Sequence, residues 1–292
     1  MDWTPGGMSS DVEDRRSSPG GGGGFRGGGI GLIGILFLLV ISLLTGKNYI
    51  GAFLSGSGSA HVAPPSATTN TNRPATSPAN DREAQLVSFV LDDAQRTWTQ
   101  IFAAQGLQYR HAKLVLYRNA TYSGCGTAQA ATGPFYCPAD EKIYIDLNFW
   151  DDLKRMGGDA GDFAQAYVLT HELGHHIQKL TGIESKMRRL SEQVPREGNQ
   201  LSVDLELQAD CFAGIWAHST TQRNIVHQDD IAGALSAAAA VGDDHLQRMS
   251  GRAVSPENWT HGSSAARTDW FRRGLTNGTV GACKTFNGNL AP

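Results

Sequence analysis

His171-Glu172-Leu173-Gly174-His175 lies inside the run from Phe163 to Leu180 and constrains the fold more than any other stretch of these 292 residues. In a helix, residues 171 and 175 stand about 6 Å apart along the axis and about 40° apart around it, so both imidazoles can face one ion. Glu172 lies about 100° to one side of His171, within reach of a water at that ion without ligating it. Asp162 as candidate N-cap and Gly182 as stop signal predict a helix from Asp162 to about Leu180. Its apolar stripe, Phe163, Ala166, Leu173, Ile177 and Leu180, falls on another face, so the histidines need not be core residues. The plain alternative is a helix that carries these side chains by chance.

A metal used for hydrolysis keeps three protein ligands and one open position. Leu205 to Trp216 reads as a second amphipathic helix with Leu205, Ala209, Phe212 and Trp216 on its core side. Glu206 and Asp210 are four apart and share a face, where two carboxylates repel unless a cation or a histidine N–H sits between them. Glu206 is the candidate third ligand, and Asp210 the candidate that orients His171 or His175 from behind. Without the upstream histidines, an exposed acidic face would be the ordinary reading.

H-E-x-x-H followed some thirty residues later by E-x-x-A-D resembles the gluzincin arrangement of zinc metallopeptidases. More closely, Asp11-Val12-Glu13-Asp14-Arg15-Arg16, Thr170 to Gln178, Glu206 to Gly214, and Thr260-His261-Gly262-Ser263-Ser264 with Arg267 and Trp270-Phe271 are similar to the neutral zinc metallopeptidases of bacteria. The resemblance implies a membrane-anchored zincin fold and names no substrate. The expected fold class is α+β: a zincin-like metallopeptidase domain, mostly helical with a small antiparallel or mixed sheet, preceded by one transmembrane helix.

Four regions follow from composition. Residues 1–29, with glycine runs at 20–24 and 27–29, read as a disordered Gly-rich arm. Residues 30–46 read as the transmembrane helix, because no charge occurs between Arg26 and Lys47 and about 19 to 20 residues can thread a bilayer core. A cleaved signal ending near Ser57-Gly58-Ser59-Ala60 is the rival. Residues 47–80 are a Ser/Thr/Pro-rich linker, and residues 81–292 the metallopeptidase domain. Arg15, Arg16 and Arg26 precede the span and only Lys47 follows closely, so the positive-inside bias places the arm in the cytoplasm. The expected location is a bacterial inner membrane, crossed once, with the domain on the periplasmic or extracellular side.

Within the domain, Arg82 to Gln105 reads as a helix, and Lys113 to Tyr117 and Lys142 to Leu147 as strands, with a short strand near Phe135-Tyr136. The Ile143 to Leu147 strand is the candidate edge that pairs with extended substrate, by analogy with zincins and by strand addition, with an ordinary interior strand as the equal alternative. Gln228 to Met249 reads as one Ala-rich helix and Ser263 to Arg273 as a last short one. His261 is a candidate donor to an oxyanion, although a histidine in such a loop is more often structural. Cys125, Cys137, Cys211 and Cys283 allow three pairings. The favoured one joins Cys125 to Cys137 and Cys211 to Cys283, with four separate thiols as the alternative.

The expected function is a zinc-dependent peptidase with one Zn2+ on His171, His175 and Glu206 and with Glu172 as general base. A zinc-stabilised, non-catalytic binding or assembly module of the cell envelope is the alternative. A peptide or protein is the expected substrate. A net charge of −3 and a pI near 6.3 argue against nucleic acid.

Overall fold

The computed structural model describes residues 1–17, 81–129 and 133–286. The Asp81 carboxylate accepts from the amides of Glu83 and Ala84 and starts helix α1 (Arg82–Ala104), whose buried face carries Leu86, Val90, Ala94 and Trp98. Strand β1 (Val12–Asp14) precedes it. After it come β2 (Lys113–Tyr117), the hairpin β3 (Ala120–Ser123) and β4 (Gly126–Gln129), β5 (Phe135–Cys137) and β6 (Lys142–Asp146). The remainder is helical: α2 (Phe149–Arg155), α3 (Asp162–Leu180), α4 (Ile183–Gln193), α5 (Gly198–Gln222), α6 (Gln228–Ala240), α7 (Asp243–Met249) and α8 (Ser264–Asn277). Gly182, just past α3, has φ 76°, a left-handed backbone that glycine adopts without strain.

The main sheet has the order β1-β2-β6-β5, with the first three strands parallel and β5 antiparallel to β6. The fold is thus α+β, mostly helical, with one mixed sheet and one antiparallel hairpin. One reading left open is decided, and one expectation is corrected. β6 is an interior strand flanked by β2 and β5, so the exposed edge on that side belongs to β5. Ile143, Tyr144, Ile145 and Asp146 are all buried, the signature of a strand covered on both faces. The N-terminal residues, expected to carry no fold, supply β1, which covers the edge of β2. Their acidic side chains find cations there: Lys113 Nζ is 2.6 Å from Asp11 and Lys142 Nζ is 2.5 Å from Glu13. The expected transmembrane helix (30–46) and linker (47–80) lie outside the described residues. No helix among the described residues is long and apolar enough to cross a membrane.

The helices pack through aromatic contacts and close glycine crossings. Trp98 of α1 meets Phe212 of α5 edge-on, with ring centroids 5.3 Å apart, and Phe163 of α3 stacks on Trp216 of α5. Where α3 crosses α5, a Cβ on Gly174 would lie 2.9 Å from the Cα of Ala209, so only glycine lets the two backbones approach this closely. The expected helix over 228–249 divides into α6 and α7 at Gly242, where a Cβ would come within 2.4 Å of the Ser264 amide nitrogen. Cys125–Cys137 and Cys211–Cys283 are bonded, the first fastening the β3–β4 turn to β5 and the second fastening the chain end to α5.

Candidate metal centre

α3 and α5 carry the donors, and the Gly174–Ala209 crossing brings the two helices together beside them. His171 Nε2 is 3.2 Å from Glu206 Oε2, and His175 Nε2 is 3.5 Å from Glu206 Oε1. One donor atom from each of the three residues lies within 4.8 Å of the others. Two ligands about 2.05 Å from a tetrahedral Zn2+ are separated by about 3.3 Å, so these spacings already suit the ion. Nitrogen and carboxylate donors with no thiolate also suit zinc.

Each imidazole has its other nitrogen engaged. His171 Nδ1–H donates to Asp210 Oδ1 at 2.8 Å, and His175 Nδ1–H donates to Gln178 Oε1 at 2.9 Å. Carboxylate and amide oxygens only accept, so both rings hold their Nδ1 protons and present Nε2 to the cleft. Asp210 is fully buried and shared: Tyr167 Oη donates to it at 2.5 Å, and Arg267 donates from Nε at 2.9 Å and from Nη2 at 3.0 Å. Gln178 is fixed in turn, since its Nε2 donates to the Leu205 carbonyl at 2.8 Å.

Charges follow the geometry. Burial opposes protonation of His171, but Asp210 and the Glu206 hydrogen bond outweigh it and push the pKa up to about 10. Glu206 is held well below the usual carboxylate range; its burial works the other way and is overcome chiefly by His175 and His171. Burial raises Glu172, partly offset by the two histidines. A raised carboxylate accepts a proton more readily, the direction a general base requires.

His261 approaches the same cluster without joining the ligand group, and its charge contributes to lowering Glu206. Its Nδ1 lies 3.0 Å from Thr260 Oγ1 and 3.3 Å from Asp243 Oδ1, while Asp243 Oδ2 accepts the amides of Thr260, His261 and Gly262 at 2.7 to 2.9 Å. Burial would lower His261, but Asp243 and Glu206 raise it on balance. β5 lies beside the site: Tyr136 Oη donates to Nδ1 of His176 at 3.0 Å, and His176 Nε2–H donates to the Arg110 carbonyl at 2.7 Å. His176 is thus a packing residue.

The structure brings together all four residues predicted at the centre, with Asp210 on His171. Sequence reasoning assigned no role to Tyr167, Gln178, Asp243 or Arg267. Tyr167 is four before His171 and Gln178 three after His175, spacings that share a helix face. Arg267 stands in the motif shared with the neutral zinc metallopeptidases but was given no role, and no local pattern marks Asp243.

Two Nε2 donors and a carboxylate, with a buried acid beside them, form a group that could hold a metal ion. The family described as "Putative neutral zinc metallopeptidase" matches residues 1–286, and the chain belongs to it. The uncharacterized protein YpfJ of Escherichia coli (strain K12) is 45% identical over 297 residues, covering 99% of this chain and 100% of that protein. The uncharacterized protein Rv2575 of Mycobacterium tuberculosis (strain H37Rv) is 39% identical over 190 residues, covering 61% of this chain and 64% of that protein. No solved structure matches.

Proposed function

We propose that this chain is a zinc-dependent peptidase that hydrolyses peptide bonds, with one Zn2+ held by His171, His175 and Glu206. The observation that carries the reading is the meeting of those three donors within 4.8 Å, with buried Glu172 one residue from His171. Bound there, zinc supplies Lewis acidity toward the scissile carbonyl and makes a water deprotonate near neutral pH. The protein's own groups do the rest. Glu172 takes one proton from the attacking water as the new C–O bond forms, and delivers it to the leaving amine as the C–N bond breaks. His261, steadied by Asp243, donates from Nε2 to the carbonyl oxygen as charge collects on it. The outer edge of β5 takes the peptide backbone by strand addition. Membrane attachment through residues 30–46 belongs to this reading as a proposal.

Replacing Glu172 by Gln tests it. The variant retains its zinc while cleavage of a denatured-protein digest library falls by about 10²- to 10⁴-fold, the usual worth of a general base. Zinc-loaded wild type that cleaves nothing in such a library would contradict the peptidase and leave the metal-stabilised binding module.

A further inference from the structure

Between β1 and α1 lies the junction that holds residues 18–80. β1 runs parallel to β2, with Glu13 opposite Val115. Parallel neighbours in sequence require a crossover, and α1 is the helix that the crossover carries. The two ends of the junction touch. Arg16, two residues beyond β1, donates from Nη1 to Asp81, the residue that caps α1, while its Nη2 holds Asp14 at 2.7 Å. The two described flanks of residues 18–80 therefore meet at one βα junction.

The segment ahead of that junction is bound to the domain at residues 1–3 and again from residue 8 onward. The Asp2 amide donates to the Ile225 carbonyl at 2.7 Å, ahead of α6. Trp3 Nε1 donates at 2.8 Å to Asp162, the first residue of the metal-bearing helix, which Arg82 of α1 also grips at 2.6 and 2.8 Å. Asp11, only 9% exposed, accepts from Gln95 at 2.9 Å and Lys113 at 2.6 Å and pairs with His111 at 2.7 Å. Lys142 on β6 reaches Glu13 at 2.5 Å. Met1, Trp3, Met8 and Val12 pack on the main core.

We infer that residues 1–17 and 81–286 fold as one body and therefore lie on one side of any membrane the protein meets. A single crossing would put β1 and the rest of its sheet in different compartments and forbid every contact just named. The charge-bias arrangement, with residues 1–17 inside and the domain outside, is incompatible with these contacts. This holds whether or not the domain is a peptidase.

The test uses the full chain in its native membrane. All four cysteines are bonded, so Ser10→Cys and Gln193→Cys, both exposed positions, each add one free thiol. A membrane-impermeant maleimide is applied to intact spheroplasts and again after lysis. Both thiols are expected to become reactive at the same step; reactivity of one before lysis and the other only after it overturns the inference. The unaltered chain gives a second reading, free of any folding defect in the variants. Zero-length carbodiimide coupling in membranes is expected to join Lys142 to Glu13, with the surface pair Lys154 and Asp151, 3.7 Å apart, as control. Control coupling without the Lys142–Glu13 bond overturns it.

Discussion

Two oxygens of Asp210 serve His171, Tyr167 and Arg267, all buried. The carboxylate holds the His171 tautomer and also offsets the Arg267 charge, so its loss acts on metal and fold together. Asp210→Asn keeps the shape and removes the charge. We expect zinc affinity to fall about 10- to 100-fold by chelator competition, and stability to fall by about 3–5 kcal/mol in urea titration because buried Arg267 loses its nearest counter-charge. Unchanged affinity would contradict the orienting role. At this scale the sequence made much of the centre legible, because helical spacing dictates that residues 171 and 175, and residues 206 and 210, share faces. The role of Arg267, a residue named in the shared motif, stayed hidden because only the packing of α8 on α5 brings it to a carboxylate 57 positions earlier.

The crossing of α3 and α5 sets the distance between the histidines and Glu206. Gly174 is the contact point, and a methyl group there meets the Ala209 backbone. Gly174→Ala should push the helices apart, costing about 1–3 kcal/mol by overpacking and weakening zinc binding although no ligand has changed. A variant that binds zinc as tightly as wild type would show that the crossing does not set the site. The long amphipathic helices were readable from their periods, with α1 and α3 ending within a residue or two of expectation. The β3–β4 hairpin and β1 were not, since three or four residues are too few for a period to register, and Val12-Glu13-Asp14 looks polar. Strand order is a tertiary property. For β6 the sequence left edge and interior strand equally open, and pairing with β2 and β5 decides for the interior.

For the molecule as a whole, the N-terminal segment behaves as part of the domain, and its carboxylates set how its docking responds to pH. Burial would raise Asp11, Glu13 and Asp14, but each lies below its ordinary value. Lys113, His111 and Gln95 lower Asp11, Lys142 and Arg15 lower Glu13, and Arg16 lowers Asp14. Depressed carboxylates stabilise the docked state above their unfolded values of about 4, and that contribution disappears as pH falls through the lower folded values. Amide exchange protection over residues 11–16 should hold from neutral pH to about pH 5 and decline below about pH 4, before the helical core opens. Protection that persists until the whole domain unfolds would contradict it. The composition of residues 1–29 concealed this docking, because a glycine run dominates it while the contacts come from the few residues ahead of that run.

The account rests on three donors from two helices holding one ion, and metal stoichiometry of the purified full-length chain tests this most directly. The wild type should carry one zinc per chain, and Glu206→Ala and His175→Ala should lose it while keeping wild-type helical content by circular dichroism. A folded wild type without zinc, or a Glu206→Ala variant that keeps a full equivalent, would contradict it.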